Sequence, residues 1–378
     1  MHRLPVQPKP ALVRRAAPPN LGPGRRGEEV AGIVMAAPAV GLLLLFLITP
    51  FVLAFVMSFT NQRLVSPNPT SYVGTRNFAQ LLTVRPYLMS PLTDPDTGAT
   101  LRDASGAPLY PVLRDITRRN PDYPQFDGLR ELRSWQFGER RLYLLASDVV
   151  FMRALGNTIL FVLVVAPTQA TLALLLALMI NQRLRGVNIF RTIYFMPVVI
   201  SIVVVSLLWR FIYSPTGLLN SMLSSFTFGA FTPIDWLGNP GTALGAIMAM
   251  SIWQAVGFHM VIWLSGLQTI PGVLYEAASV EGANTLQKFR HVTWPGLRNT
   301  AVLILVVITM QAFALFAQID VMTRGGPLDS TQSIVFQAVQ RGFERQDIAG
   351  GSAISVVLFV LVLSVSLVQR YLTRERAR

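Results

Sequence analysis

Long charge-free apolar runs restrict this chain to folds that cross a membrane. Residues 30–62, 154–182, 192–209, 236–275, 299–319 and 348–369 contain no Asp, Glu, Lys or Arg, and a membrane-spanning helix needs about 20 predominantly apolar residues. These runs place helices near 32–58, 156–180, 190–212, 244–266, 299–321 and 352–372. The expected fold is all-α, with six transmembrane helices. The third span is the least clean, because its charge-free run is 18 residues long. Arg191 and Arg210 bracket it and can snorkel to the two interfaces. Composition agrees: 52% of the residues are hydrophobic and 13% charged, against about 25% charged in a typical soluble domain.

The net charge of +13 does not point to nucleic acid, because the basic residues lie beside the apolar runs. The first segment carries Arg3, Lys9, Arg14, Arg15, Arg25 and Arg26; the loop after the second span carries Arg183, Arg185 and Arg191. The loop after the fourth carries Lys288, Arg290 and Arg298, and the C-terminal tail Arg370, Arg374, Arg376 and Arg378. These sixteen lie on one side, against Arg210, Arg324, Arg341 and Arg345 in the short loops of the other. By the positive-inside rule the basic side, with both termini, is cytoplasmic. Residues 1–29 are Pro/Gly-rich and expected to be a disordered tail, and 374–378 form the other tail. The span within 30–59 is expected to stay as a signal anchor: its apolar run is too long for a cleaved signal, and "APA" at 37–39 lies at its start.

Residues 60–153 form the one sizeable polar piece, with twelve basic and nine acidic residues. They are expected as an extracytoplasmic insertion between the first two spans. Within it, "DPDTGATLRDASGAPLYP" (94–111) reads as a strand–turn–strand element or a long loop. Asp94 and Asp96 do not open a calcium loop, because Gly98 sits one place early and no glutamate closes it. A docking surface and a passenger insertion fit equally.

The sequence carries no motor of its own. There are no cysteines, which excludes disulfides, thiolate metal sites and cysteine nucleophiles. Neither Lys9 nor Lys288 lies in a phosphate-binding G-x-x-x-x-G-K-[ST] loop. No metal, cofactor or catalytic set is expected. Ion-driven carriers place ionisable groups inside their spans; His259 is the central one here, and Asp320 lies near an outer end. An ion-coupled secondary transporter working through His259 is the alternative reading, although a lone histidine there is more often a helix–helix contact. The other reading is an external motor.

The polar insert "EAASVEGANTLQKFRHVTWPG" (276–296) lies between the fourth and fifth spans. Its apolar residues Ala277, Val280, Ala283, Leu286, Phe289 and Val292 recur every third position, a line that would spiral around one straight helix. Gly282 and Asn284 offer a break into two short helices at an angle. Pro295 marks the boundary before the fifth span. Amphipathicity alone fits a partner's groove or the membrane surface equally.

The same residues resemble the EAA loop of ABC importer permeases. Glu276, Ala277, Ala278, Gly282 and Pro295 fall in its register; Glu281 stands where aspartate is common and Trp294 where leucine is common. "YVGTRNFAQLL" (72–82), residues 154–220 and "MTRGGPLDST" (322–331) are similar to carbohydrate-type permeases of the maltose and glycerol-phosphate kind. Outside the insertion the resemblance covers most of the chain from residue 72, and the maltose-type relative carries a large insertion at a comparable place. The resemblance implies a type I ABC importer permease fold, with a five-helix core over 154–373, in the bacterial inner membrane. It further implies a second, different permease chain, an ATPase dimer that does the hydrolysis, and an extracytoplasmic solute-binding protein. In that family the loop docks into the ATPase. Glu276 would meet an arginine, Gly282 would permit the turn, and Leu286 and Phe289 would hold the loop to the permease or fill the ATPase groove. The cargo would be a sugar or oligosaccharide, moved by alternating access. Sugars are bound by polar groups and aromatic faces, and spans 4 and 5 offer Trp253, Gln254, His259, Trp263, Gln311 and Gln318. Gln311, Leu315 and Gln318 are expected on one helix face by their i, i+4, i+7 spacing. Interhelical packing fits each of these residues equally well.

Overall fold

The structure, a computed structural model, describes residues 24–182 and 186–373. The expected tail through residue 23, Arg183, Arg185, Arg374, Arg376 and Arg378 lie outside these residues. The chain divides into two units, one ending at Leu53 and one beginning at Ala54. Helix α1 runs over Gly24–Leu43, through a π turn at Leu44–Ile48, and on over Thr49–Met57. It begins at Gly24, so the stretch expected to be disordered through residue 29 is helical from there.

The polar insertion corrects the all-α expectation. After α2 (Arg76–Leu82), strand β1 (Val84–Met89) leads through a long loop to the short helix α3 (Leu113–Thr117). Strands β2 (Arg130–Phe137) and β3 (Arg140–Ala146) follow as a hairpin. The sheet is antiparallel, in the order β1-β3-β2. Its hairpin loop is the pair Gly138-Glu139, with Gly138 at φ +60°, the backbone that a two-residue turn requires of its first position. Tyr87 and Ser134 both stand opposite Tyr143. On one face Met89, Tyr143 and Leu145 pack with Ile116, Phe126 and Leu129 into a small core of their own. The 94–111 stretch is a loop with two tight turns and isolated bridges at Thr93–Thr100 and Arg102–Pro108. Asp94 closes the first turn: its Oδ1 accepts from the N–H of Asp96 and of Thr97. Those two bonds hold its carboxyl below the ordinary carboxylate range.

The long helices follow. Helix α4 spans Val149–Ile180, with the Asp148 side chain accepting from Phe151 N–H at 2.9 Å as N-cap. Helices α5 (Val187–Val199) and α6 (Ile202–Ile212) meet at a bend of 97°, so the third expected span is not one helix. Pro197 removes one ladder donor, and the β-branched run Val198–Ile200 leads into extended backbone at Ile200 and Ser201. Helix α7 (Leu218–Phe226) is short, and α8 covers Ala243–Gln268. Helix α9 is Gly272–Val280. Helix α10 starts at Thr285–Lys288, passes a π turn at Phe289–Thr293 and continues over Trp294–Phe313. Then come α11 (Ala317–Met322), α12 (Ile334–Val339) and α13 (Ile348–Thr373). Among the described residues five helices are long and apolar enough to cross a membrane, and the bent α5–α6 pair supplies a sixth if it counts as one broken span.

Small residues set the helix spacing, as expected where the surrounding lipid gives no hydrophobic drive to association. Ala166, Ala170, Ala173 and Ala177 are all buried along one stripe of α4. They pack against Val256, Met260, Trp263 and Leu267 of α8 and Ile304 and Ile308 of α10. Trp263 Nε1 donates to the Ala170 carbonyl at 3.0 Å. At one end of the core, Arg341 ties two helix starts together. Its Nη1 lies 2.8 Å from Asp148, the α4 cap, and its Nε 2.8 Å from Asp347. Asp347 itself accepts from Gly350 N–H in the first turn of α13. Arg341→Met leaves two mostly shielded carboxylates without the only salt-bridge partner they have among the described residues, a loss of about 3 kcal/mol. The expected result is a lower unfolding temperature of the purified protein; an unchanged temperature would show the clamp to be inert.

Candidate functional site

The polar insert folds as a hairpin of two helices with a four-residue gap, 281–284, between stop and start. At the end of α9, Ala283 N–H bonds the Ala278 carbonyl at 2.9 Å and Gly282 N–H bonds Ser279 at 3.1 Å. This is a Schellman stop, which places a residue in left-handed backbone just past the helix. Gly282 occupies that position at φ +78°. The next helix starts at once. Asn284 Oδ1 accepts from Gln287 N–H at 2.9 Å, and Gln287 Oε1 accepts from Asn284 N–H at 2.8 Å. This reciprocal capping box is encoded by Asn284-x-x-Gln287, a signal that the search for a break at Gly282 passes over. Tyr275 Oη and Thr293 Oγ1, 3.0 Å apart, fasten the two arms.

Pro295 corrects an expectation. It does not end a helix, because α10 runs through it. A proline ring clashes with the carbonyl four residues back and lacks the N–H that would bond it. Here Trp294 N–H reaches back five residues to Phe289, and the wider π turn absorbs the proline. Pro50 in α1 stands at the same offset from its own π turn.

The loop divides its residues between an inner and an outer face. Phe289 packs inward against the α4–α8–α10 core. Leu286 is 74% exposed and Val280 90% exposed. Glu276 and Ala277 are exposed, and Ala278 is half-buried. Glu276 forms no salt bridge among the described residues. Between the arms lies a groove of about 460 Å³ lined by Leu274, Ala277, Ala278, Glu281, Gln287 and His291. An apolar rim with an unpaired carboxylate nearby is suited to a protein partner that brings a cation.

The proposed solute path is only partly assembled. His259 is fully buried; its Nδ1 lies 2.9 Å from the Ala255 carbonyl, and its Nε2 makes no hydrogen bond. The Gln311 side chain faces this ring, so spans 4 and 5 do bring these two together. Trp253 is 45% exposed and packs against Trp209 of α6, the ring centroids 5.3 Å apart and the rings tilted by 58°. Gln254 is half-buried. Trp263 is spent on packing and on its bond to Ala170. Gln318 lies apart: α10 stops at Phe313, and Gln318 belongs to α11 beyond the break. The shared face of Gln311, Leu315 and Gln318 therefore does not exist. Sequence reasoning also missed Gln169, Ser206, Ser251 and Gln337, buried polar side chains each with an atom lacking a partner. Their signal was a polar residue inside an apolar run.

The loop "TRGGPLDST" is more than a turn. Arg153 of α4 donates to the Leu328 carbonyl at 3.1 Å, Asn157 to Gln332 at 3.1 Å, and Ile334 N–H donates to Thr158 Oγ1 at 3.0 Å. Three side chains in the first turns of α4 thus hold this loop and the residues just after it.

The family described as binding-protein-dependent transport system inner membrane component matches residues 169–378. The trehalose/maltose transport system permease protein MalF of Thermococcus litoralis is 35% identical over 58% of this chain and 73% of its own length. The lactose transport system permease protein LacF of Rhizobium radiobacter is 31% identical over 71% of this chain and 89% of its own. Among solved structures, a bacterial alginate ABC transporter in complex with an alginate pentasaccharide-bound periplasmic protein contains a chain of the same fold. Its TM-score is 0.67 at 19% identity, covering 93% of this chain and 96% of that one.

Proposed function

We propose that this chain, which belongs to the family of binding-protein-dependent transport system inner membrane components, is the permease of an ABC importer for a sugar or oligosaccharide. The observation that carries the reading is the helix hairpin at 276–296: its turn is capped on both sides, its outer face is open to a partner, and it joins two membrane-length helices. The named cargo of the relatives, trehalose or maltose and lactose, supports a saccharide. The alternative, an ion-coupled carrier, finds no support in the relatives.

In this reading a separate ATPase dimer closes on ATP and moves the hairpin. Phe289 and the Tyr275–Thr293 contact transmit that movement to α10, while Glu276, Ala277, Ala278 and Leu286 face the ATPase. A second permease chain completes the path, and a solute-binding protein delivers the cargo on the side opposite the hairpin. Both termini and the hairpin lie in the cytoplasm, and 60–153 lies outside. The solute would meet Trp253, Gln254, His259 and Gln311, with Gln318 further along.

Uptake by proteoliposomes holding the chain with its partners tests the reading. ATP-dependent saccharide uptake that ionophores leave unchanged is the expected result. Uptake that survives ATP depletion and collapses with ionophore would establish the ion-coupled alternative. In the same assay Gln311→Ala and Trp253→Ala should each lower uptake about tenfold or more, because a lost desolvated contact is worth roughly 1–3 kcal/mol. Full uptake by both variants would move the solute site to the second permease.

A further inference from the structure

We propose that a basic cleft at the base of the insertion binds the phosphate headgroup of an anionic phospholipid. The cleft is about 400 Å³ and is lined by Leu113, Thr117, Leu129 and the arginines Arg114, Arg118 and Arg130, with Glu131 on its rim. Its floor is buried and mostly apolar, made by Leu129, 6% exposed, with Leu113 and the methyl-bearing side chain of Thr117, 7% exposed. Its three arginines are exposed, and none forms a salt bridge among the described residues. Glu131 is engaged elsewhere, its Oε1 accepting from Ser134 Oγ at 2.7 Å. Three unpaired guanidiniums against one carboxylate favour an anion, and the planar guanidinium fork matches phosphate.

The register fixes where the cleft lies. Arg130 stands directly opposite Ala146, the last residue of β3, and α4 begins three residues later at Val149. The charge-free run of α4 starts at 154, about five residues or roughly 7 Å further along the helix. The headgroup layer on each side of a bilayer is itself about 5–8 Å thick, so the rim of the cleft stands at headgroup height. The same edge carries Val84 of β1, so the insertion meets α4 along this end of its sheet. A headgroup phosphate satisfies the charge, and its glycerol carbons suit the apolar floor. The proposal rests only on α4 crossing the membrane, not on what the protein transports.

Native mass spectrometry of the full transporter released from nanodiscs tests it, using phosphatidylcholine discs with and without phosphatidylglycerol. Each basic residue near an anionic surface changes partitioning roughly fivefold. The R114Q/R118Q/R130Q variant should therefore retain phosphatidylglycerol about a hundredfold more weakly than the wild type. R118Q alone should show a partial loss, which covers failure of the triple variant to fold, and R133Q, outside the cleft, should bind as wild type. Equal phosphatidylglycerol retention by all variants would overturn the proposal. Displacement of the lipid by millimolar inorganic phosphate would also overturn it, in favour of a soluble-anion site. So would unchanged lipid retention with lost stimulation by the solute-binding protein, which would make the cleft a protein contact.

Discussion

Gly282→Leu is expected to uncouple ATP hydrolysis from solute while leaving the chain inserted in the membrane. A Cβ at Gly282 meets nothing within 4 Å, so the substitution adds no clash. The cost is backbone strain alone, because φ is +78° and an L-residue pays roughly 1–2 kcal/mol there. That is small beside the stability of the fold but large for an exposed turn held by two backbone bonds. The turn would relax and change the angle between α9 and α10, and with it the groove between the arms. Gly282→Asn separates the causes, because asparagine tolerates left-handed backbone. Solute-stimulated hydrolysis should fall about tenfold or more in the leucine variant and be largely kept in the asparagine variant. Equal activity in both would remove the turn from the coupling route.

The second large effect concerns folding. Gly257 of α8 lies against α5: a Cβ there would stand 1.9 Å from the Tyr194 carbonyl oxygen and 2.6 Å from its carbon. The obstacle is backbone, so no rotamer change relieves it. Gly257→Leu must push α5 off α8 or expel the side chain into the core, at about 3 kcal/mol or more. The expected outcome is loss of monodisperse protein on extraction. Gly245→Ala is the matched control on the same helix, since its Cβ would meet nothing within 4 Å. It should be neutral or slightly stabilising by helix propensity, about 1 kcal/mol. Wild-type behaviour of Gly257→Leu would mean that α5 is not held where the structure places it.

Particular residues mark what the sequence could show. Charge-free runs located five long helices, because lipid burial leaves its signal in every residue of a span. They could not show that α5 and α6 meet at 97°, since a run of apolar residues looks alike straight or broken. Pro197 was the available sign. The end of α10 at Phe313 had no local sign: no glycine or proline stands in Ala314–Gln318. The chain turns there because Phe313 and Leu315 are buried at 3% and 2% exposure and Ser333 Oγ takes up the Leu315 carbonyl at 2.5 Å. That partner is distant in sequence. The strands of the insertion were legible in the sequence: "RELRSWQF" and "RRLYLLA" flank Gly138-Glu139, a hairpin signal stronger than the turns of 94–111. The hairpin at 276–296 was the most readable site, because Gly282 and Asn284 act through local backbone bonds.

The central claim is that this hairpin, and not another surface, meets the ATPase. Glu276→Ala should cost little fold stability, because Glu276 has no ion-pair partner within the described chain. It should cost roughly 2–5 kcal/mol at the interface if a buried arginine is left unpaired. Cross-linking gives the most direct test. The chain has no cysteine, so a single one at Val280, 90% exposed on the hairpin tip, reports one place only. In the assembled transporter, Val280→Cys should cross-link to a cysteine-scanned ATPase subunit, with a yield that changes on ATP binding. Cross-linking to the solute-binding protein, or none to the ATPase across the scan, would contradict the account.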